Sequence, residues 1–371
     1  MEFSYWEHQT WFSNIDFTVI GSGIVGLSCA LQLREKHPKA SILIVEKGIL
    51  PQGASSKNAG FACFGSVSEL LDDLSNNSEE EVVKLVKQRL DGLHSLRKLI
   101  GDKNMDFNPW GGFELFSNNQ KSSQEECLES IPRLNKLLQP DFNDSVFETK
   151  KNPFRFGNIL PKVIFNKHEG QLNTGKMMEQ LLRLAYKNNI KVVNSISVTG
   201  FENIGEKVLV KTDKIDFKTS QLFIATNGFS LDLGIDKVKP ARAQVLITKP
   251  IPELKIKGTF HIEQGYYYFR NIDDRILLGG GRNLDFEGEE TTQFGQTELI
   301  QTKLEEILNI IILPNTPYEI DHRWSGIMGV GNQKNPLISS FDNRIHYGVR
   351  LGGMGVAIGN QIGKQLANLI S

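Results

Sequence analysis

The first fifty residues alternate between short apolar runs and a helical pattern. Residues 16–20 (DFTVI) form an apolar run of strand length, and apolar positions then recur every three or four residues as far as residue 33. Residues 41–47 (SILIVEK) form a second strand-like run. The pattern predicts a strand, a helix and a second strand, which is the opening unit of an α/β fold with a parallel sheet.

The turn between the first strand and the helix reads GSGIVG, in which Gly21, Gly23 and Gly26 give the spacing G-x-G-x-x-G. The first glycine makes the tight turn, the second lets a diphosphate approach backbone N–H groups, and the third lets helix and sheet close. Glu46 ends the second strand, where a carboxylate accepts the hydroxyls of an adenosine ribose and argues against a 2′-phosphate. These residues predict a dinucleotide site but leave the choice between NAD and FAD open.

The next segment, GILPQGASSKNAGFACFG (48–65), favours FAD. In nicotinamide dehydrogenases the second strand is usually followed by another crossover helix, whereas this segment has the Gly, Ser and Asn content of an irregular loop. We expect residues 55–60 to line the ribityl chain and one edge of a flavin ring, because small residues permit backbone contact with a planar cofactor. A solvent-exposed loop without a ligand is the alternative.

Periodic segments continue to the C-terminus. Residues 191–198 and 221–226 each have the pattern of a strand, with a hairpin predicted at 207–217 between them. Residues 239–324 are strand-rich and then helical, which predicts an antiparallel sheet. Residues 351–370 are glycine-rich and then helical, so the last helix begins at a glycine-rich loop.

Charge and composition exclude several classes of protein. The 371 residues include 42 Lys+Arg and 43 Asp+Glu, so the net charge of −1 gives no basic footprint for nucleic acid. No apolar run reaches the roughly 18 residues of a membrane span, and the N-terminus lacks the basic start and apolar stretch of a secretory signal. We therefore expect a cytoplasmic protein with no membrane span. The three cysteines are scattered along the chain, which argues against a disulfide framework. No two of the seven histidines lie four residues apart, which argues against a zinc site.

The pairing of GSGIVG with a GASSKNAG loop resembles the D-amino-acid oxidase superfamily of FAD-dependent amine oxidoreductases, which includes glycine oxidase, sarcosine oxidase and dimethylglycine dehydrogenase. Later segments strengthen the resemblance, and in order and spacing they look most like the γ-glutamylputrescine oxidase branch. These segments are NPWGGFELF (108–116), HEGQLNTGKMMEQLLRLA (168–185), QLFIATNGFS (221–230), ARAQVLITKP (241–250), YYYFRNIDDRILLGGGR (266–282), IDHRWSGIMGVGNQKNPLIS (320–339) and VRLGGMGVAIGNQIGKQLA (349–367).

The resemblance implies an α/β fold in which a Rossmann-type FAD-binding domain is joined to a second, α+β substrate domain built on an antiparallel sheet. The FAD-binding domain would comprise residues 1–75, 165–238 and 325–371. The substrate or cap domain would comprise residues 76–164 and 239–324. One face of the antiparallel sheet is expected to roof the flavin.

The resemblance also implies which residues hold FAD. Val198 would contact adenine through its backbone, and the glycine-rich loop before the last helix would face the side of the flavin where negative charge builds up on reduction. FAD should be non-covalent, because the loop carries no His and the WSG segment no Cys at the attachment positions of relatives. The expected cofactor residues are Gly21, Ser22, Gly23, Ile24, Val25, Gly26, Glu46, Lys47, Ser55, Ser56, Asn58, Ala59, Gly60, Val198, Ala225, Thr226, Gly228, Gly352, Gly353, Met354, Gly355, Val356 and Ala357.

The expected substrate pocket departs from relatives that bind amino acids. In glycine oxidase an Arg after the W-x-G element holds the substrate carboxylate, and Met328 falls at that position. In monomeric sarcosine oxidase a Lys follows the last glycine-rich turn, where Ala357 stands. Leu277 replaces a Lys that speeds the reaction of sarcosine oxidases with oxygen, so an oxidase and a dehydrogenase both stay open. The residues expected to line the pocket are Phe61, Tyr268, Arg270, Arg323, Trp324 and Met328.

The sequence therefore predicts an enzyme that oxidises a primary or secondary amine by hydride transfer to flavin N5 and gives an imine. Its partner would be a small-molecule amine, and no catalytic residue is assigned because this chemistry needs little acid–base machinery. Three alternatives are a flavin-bearing scaffold protein without turnover, an NAD-dependent dehydrogenase, and an amino-acid oxidase with a relocated carboxylate anchor. Candidates for that relocated anchor are Arg242, Arg270 and Arg323.

Overall fold

A computed structural model describes residues 2–142 and 144–370. The strands are β1 (Ile15–Ile20), β2 (Ile42–Val45), β3 (Phe61–Ala62), β4 (Gly112–Leu115), β5 (Phe147–Lys151), β6 (Lys162–Asn166), β7 (Gly170–Gln171), β8 (Lys191–Val193), β9 (Val198–Asn203), β10 (Val208–Thr212), β11 (Phe217–Ile224), β12 (Lys239–Thr248), β13 (Thr259–Ile262), β14 (Tyr267–Ile272), β15 (Arg275–Gly280), β16 (Ile320–Val330), β17 (Leu337–Ser340) and β18 (Ile345–Val349). The α-helices are α1 (Tyr5–Glu7), α2 (Ile24–Lys36), α3 (Ala54–Lys57), α4 (Val67–Asn76), α5 (Glu79–Ile100), α6 (Lys121–Leu138), α7 (Thr174–Lys187), α8 (Glu298–Ile307) and α9 (Gly355–Ala367).

The first sheet has the strand order β17-β18-β11-β1-β2-β8. Its strands from β8 to β18 run parallel, and β17 pairs antiparallel at the edge. The ribbon of β9 and β10 joins this sheet through antiparallel pairing of β10 with β11. The hairpin predicted at 207–217 is therefore present, but its second arm is the start of β11 and not a strand separate from the run at 221–226. The strand-helix-strand opening is also confirmed, with α2 between β1 and β2. The parallel strands end at one edge of the sheet, which is where ligands bind in such folds.

The second sheet has the strand order β16-β12-β15-β14-β13-β4-β6-β5. All its pairs are antiparallel except the pair of β13 with β4, which is parallel. The predicted antiparallel sheet is thus present with one parallel step. That step arises because β4 lies far upstream in the chain from β13 and is not its hairpin partner. Phe260 and Phe269 stack at 4.4 Å in the core beside this sheet.

The helices α2 and α9 pack closely against each other, and this brings their N-termini together. A Cβ on Gly363 would lie 2.5 Å from the Val25 carbonyl oxygen, so only glycine allows this approach. Buried Asn360 donates to Ser28 Oγ at 3.0 Å across the same contact. Two helix ends, with their unsatisfied N–H groups, therefore face the same region of the protein.

Two local predictions differ from the structure. The run 191–198 is not one strand, because the chain leaves the sheet after β8 and Ser195 takes a positive φ of 60° before β9 begins. The segment 48–65 is not wholly irregular, because α3 and β3 form within it. No helix in the described part of the chain combines the length and apolar character that crossing a bilayer requires.

Candidate functional site

A cavity of about 570 Å³ lies at the C-terminal edge of the parallel strands and extends beneath the second sheet. Residues that follow β1, β2 and β11 line one side, and residues of β12, β13, β14 and β16 line the other. Its volume is within the range of small-molecule sites in proteins. The cavity therefore joins the predicted dinucleotide turn to the sheet that was expected to roof it.

The glycine turn forms the base of the cavity. The Gly21 N–H donates to Val45 O at 2.8 Å, and a Cβ on Gly26 would lie 1.9 Å from Gly21 O, so the turn closes only with glycine at position 26. The Ile24 N–H donates to Ser55 Oγ at 2.9 Å. The N–H groups of Gly23 and Val25 have no acceptor within residues 2–142 and 144–370. They fit the oxygens of a diphosphate at a helix N-terminus.

A second helix N-terminus opens into the same cavity. Met354 is the N-cap of α9, and its side chain makes no capping hydrogen bond. The N–H groups of Gly353, Gly355 and Val356 have no acceptor in the described chain, and all three residues line the cavity. The positive end of α9 suits a group that becomes negative, as the pyrimidine side of a flavin does on reduction.

Glu46 lies in the cavity wall and is only 5% exposed. One carboxylate oxygen accepts from the Ser22 N–H at 3.0 Å and the Ser22 hydroxyl at 2.8 Å, and the other accepts from the Gly48 N–H at 3.0 Å. Glu46 thus holds the glycine turn and the end of β2 in register while retaining acceptor capacity for a ribose. Lys47 lies 3.5 Å above the Phe229 ring, and burial lowers its pKa.

Three hydrogen bonds hold the loop between α3 and β3, two made by the Asn58 side chain and one by Trp324. Asn58 donates to Ser55 O at 2.7 Å, and its side-chain oxygen accepts from the Gly60 N–H at 2.8 Å. Trp324 Nε1 donates to Lys57 O at 2.8 Å. The loop is therefore held rigidly at the cavity wall, as a surface that contacts a planar ligand requires.

Most of the expected cofactor residues meet around this one cavity, although the sequence separates them by more than three hundred positions. The expected cofactor residues that line it are Gly21, Gly23, Ile24, Val25, Glu46, Lys47, Ser55, Asn58, Ala59, Val198, Ala225, Thr226, Gly352, Gly353, Met354, Gly355 and Val356. Phe61, Tyr268 and Met328 of the expected substrate pocket line it as well.

Six expected cofactor residues lie just behind the lining and support it. Ser22 is fully buried against Glu46, and Gly26 packs on Gly21. A Cβ on Gly228 would lie 2.4 Å from Met328 O, which places Gly228 beneath β16. The other three are Ser56, which donates to Gly53 O, Gly60, which packs on Leu172 O, and Ala357, which packs on Gly92 of α5.

Three residues expected in the substrate pocket lie elsewhere. Arg270 donates to Gly60 O at 3.2 Å and to Leu172 O at 2.9 Å, and burial lowers its pKa to about 10. Arg323 pairs with Glu305 of α8 at 2.7 Å. The Trp324 indole is turned toward the α3 loop. Both arginines are thus occupied by protein oxygens, and neither lines the cavity.

Residues 16–369, nearly the whole chain, match the family of FAD dependent oxidoreductases. The chain belongs to this family. A curated relative is "Probable oxidoreductase OrdL" of Haemophilus influenzae, 20% identical over 376 residues, with 97% of this chain and 84% of the relative covered. The fold agrees with this assignment, since both solved structures reported below have TM-scores above 0.7.

Two solved structures have the same fold. Glycine oxidase from Geobacillus kaustophilus gives a TM-score of 0.74 at 16% identity, covering 96% of this chain and 95% of the other. L-proline dehydrogenase from P. horikoshii gives 0.73 at 18% identity, covering 96% and 93%. The sequence-based prediction of an FAD-dependent oxidoreductase fold is therefore confirmed.

The sequence analysis missed five charged side chains in the cavity of this oxidoreductase, namely Lys57, Glu69, Asp232, His261 and Arg282. His261 is the most buried of them, at 5% exposure, and its Nε2 lies 3.0 Å from Glu169 Oε2. A signal was available: in β13 the polar Thr259 and His261 alternate with the apolar Phe260 and Ile262, which places His261 on the face opposite the apolar core. Spacing alone could not supply its partner, because Glu169 is 92 residues away.

His261 carries a positive charge at neutral pH. Burial by itself would lower its pKa, but the adjacent Glu169 carboxylate, with Glu69 and Glu114 farther off, raises the pKa to about 9. Burial acts in the opposite direction on the Cys63 thiol in the same wall: burial and then the charges of Glu169 and Glu69 all raise its pKa well above its ordinary value. The thiol therefore stays protonated and unreactive.

Loss of the His261 proton at high pH should make this oxidoreductase less stable in alkaline solution. A folded-state pKa above the unfolded value stabilises the fold fully below about pH 6.5, and the contribution is lost as the pH rises through about 9. The shift corresponds to at most about 3 kcal/mol. The thermal unfolding midpoint should fall more steeply between about pH 6.5 and about pH 9 in the wild type than in His261→Gln. Parallel falls in the two proteins would contradict this prediction.

Proposed function

We propose that this oxidoreductase oxidises a primary or secondary amine with non-covalently bound FAD. The observation that carries the proposal is the opening of two helix N-termini, α2 and α9, into one cavity. Unsatisfied N–H groups at α2 suit the diphosphate of FAD, and those at α9 suit the flavin ring. The apolar or aromatic side chains of Phe61, Tyr268 and Met328 line the same cavity.

Bound FAD would supply a hydride acceptor, so that the α C–H of the amine leaves as hydride while the nitrogen lone pair forms the C=N bond of an iminium, which loses a proton to water. The chain's own residues bind and orient the substrate. Phe61 and Tyr268 meet edge to face at 5.5 Å and exclude water from the wall. Burial raises the pKa of Tyr268 to about 12, so its hydroxyl stays neutral.

The substrate class follows from the side chains that are missing from the cavity. Met328 lines it where a carboxylate-binding Arg would be expected from the resemblance, and Arg270 and Arg323 are already paired with protein oxygens. We infer an amine whose reacting carbon bears no carboxylate. Structural neighbours named for glycine and L-proline support amine chemistry in this fold. The γ-glutamylputrescine oxidase branch stays a prediction.

Acid precipitation tests the non-covalent attachment. The KNAG loop has no His and the WSG segment has no Cys, so the positions that attach the flavin in relatives carry no side chain able to bond it, and Cys63, the cysteine that lines the cavity, has a raised pKa. Denaturation in acid should leave all of the FAD in the supernatant. Flavin that stays with the pellet, or a released cofactor without its AMP half, would overturn the proposal. The imine step is tested in parallel by measuring the carbonyl compound that hydrolysis of the imine releases. Its molar amount should equal the molar amount of FAD reduced.

A further inference from the structure

Arg282 lies at the rim of the cavity, two residues after the end of β15. The intervening residue, Gly281, has a φ of 84°, which turns the chain out of the sheet at this point. The guanidinium stacks on the Phe286 ring at 4.7 Å. Phe286 and the neighbouring Tyr266 are 46% and 40% exposed, whereas His261 at the inner wall is 5% exposed. Arg282 is therefore at the open end of the cavity and the reacting groups lie deeper.

The Arg282 guanidinium makes no hydrogen bond or ion pair to any acceptor in the described chain. The nearby carboxylates are already in use: Glu289 accepts two hydrogen bonds from Arg242 at 2.8 Å, and Glu290 pairs with Lys239 at 3.0 Å. Burial lowers the pKa of the Arg282 guanidinium, with only partial compensation from the charges around it. A half-buried Arg with free donors is suited to bind a carboxylate in a two-pronged contact.

Arg282 differs in this respect from two other charged groups that line the cavity. His261 is neutralised by Glu169 at 3.0 Å. Glu69 caps the start of α4 by accepting from the Ser66 N–H at 2.9 Å. Arg282 follows β15 of the second sheet and lines the cavity. Its guanidinium has no hydrogen-bond or ion-pair partner within residues 2–142 and 144–370.

We propose that Arg282 binds a carboxylate of the substrate at the rim, away from the reacting amine. The substrate would then be an extended amine that bears a remote carboxylate, not a simple alkylamine. Tyr266 and Phe286 would flank its middle section as it enters. This inference rests on the proposed function for the identity of the site, since it assumes that the amine is oxidised in the same cavity.

The first test uses ligands that cannot react. Acetate, butanoate and hexanoate would be titrated into the FAD-loaded protein, with the primary amides of the same lengths as uncharged controls, and binding followed by the change in flavin absorption. The longest carboxylate should bind at least about tenfold more tightly than its amide. Arg282→Gln should abolish that preference, and Arg282→Lys should retain part of it.

Two control variants make the result specific. Arg323→Gln removes a surface ion pair and should leave the carboxylate preference unchanged. Lys57→Met removes another cavity cation without a described acceptor and should also leave it unchanged. Equal binding of carboxylates by the wild type and Arg282→Gln, or loss of the preference in Lys57→Met, would overturn the assignment to Arg282.

A second test separates this inference from the proposed function. Under nitrogen, 5-aminopentanoate should reduce the flavin of the wild type at least about tenfold more efficiently than pentylamine, and Arg282→Gln should remove the difference. If both amines reduce the flavin equally well in the wild type, the role of Arg282 fails while amine oxidation stands. If no amine reduces the flavin although carboxylates bind through Arg282, the proposed function fails instead.

Discussion

Replacing Glu46 with alanine should weaken FAD binding by roughly ten- to a hundredfold. A ribose hydroxyl bonded to this carboxylate is a charge-assisted contact worth about 1.5 to 3 kcal/mol. The same carboxylate accepts from both donors of Ser22 and from the Gly48 N–H, so the variant also loosens the glycine turn. Affinity would be measured by titrating FAD into apoprotein and following the quenching of flavin fluorescence.

Ser22→Ala separates the two contributions of Glu46. Ser22 is fully buried and does not line the cavity, so its hydroxyl acts on the cofactor only through Glu46. We expect Ser22→Ala to weaken FAD binding much less than Glu46→Ala does. Equal losses in the two variants would assign the effect to the turn, and unchanged affinity in Glu46→Ala would remove the ribose role from Glu46.

Amines without an α-carboxylate should reduce the flavin far more efficiently than glycine, sarcosine or D-alanine. The absence of a charged clamp beside the reacting carbon costs about 2 to 5 kcal/mol, which corresponds to roughly thirtyfold or more in reduction rate over affinity. Met328 lines the cavity at the position in question, and β16 holds it opposite Ala241. Stopped-flow reduction under nitrogen with a matched set of amines and amino acids measures the ratio.

Met328→Arg gives the matched gain-of-function control for this ratio. The guanidinium would enter the cavity from β16, and the efficiency of α-amino acids relative to amines should rise. An α-amino acid that proved the best reductant of the wild type would contradict the argument from the missing clamp.

The parts of the fold that follow from local spacing could be predicted from the sequence. The turn from Gly21 to Gly26 and the start of α9 each depend on residues a few positions apart, so their pattern is visible in the chain itself. The position of one next to the other depends on Gly363 packing against Val25, which no local pattern contains. The common cavity was therefore expected from the resemblance and not from spacing.

The roles of the arginines could not be predicted in this way. Arg270, Arg282 and Arg323 lie within one 54-residue stretch, yet their environments differ completely. The oxygens that bind Arg270 come from residues 60 and 172, and those that bind Arg323 come from residues 301 and 305. Only the packing of distant segments determines which guanidinium is left without a partner. Arg282, which has no partner in the described part of the chain, follows a run of three glycines that contains no pattern pointing to a binding site.

Anaerobic mixing of the purified, FAD-loaded protein with primary, secondary and N-methylated amines and polyamines is the most direct test of the central claim. We predict that at least one amine bleaches the visible absorption of the flavin completely and releases one carbonyl product for each FAD reduced. A protein that purifies without colour, or a bound flavin that no amine in the panel reduces, would contradict the claim.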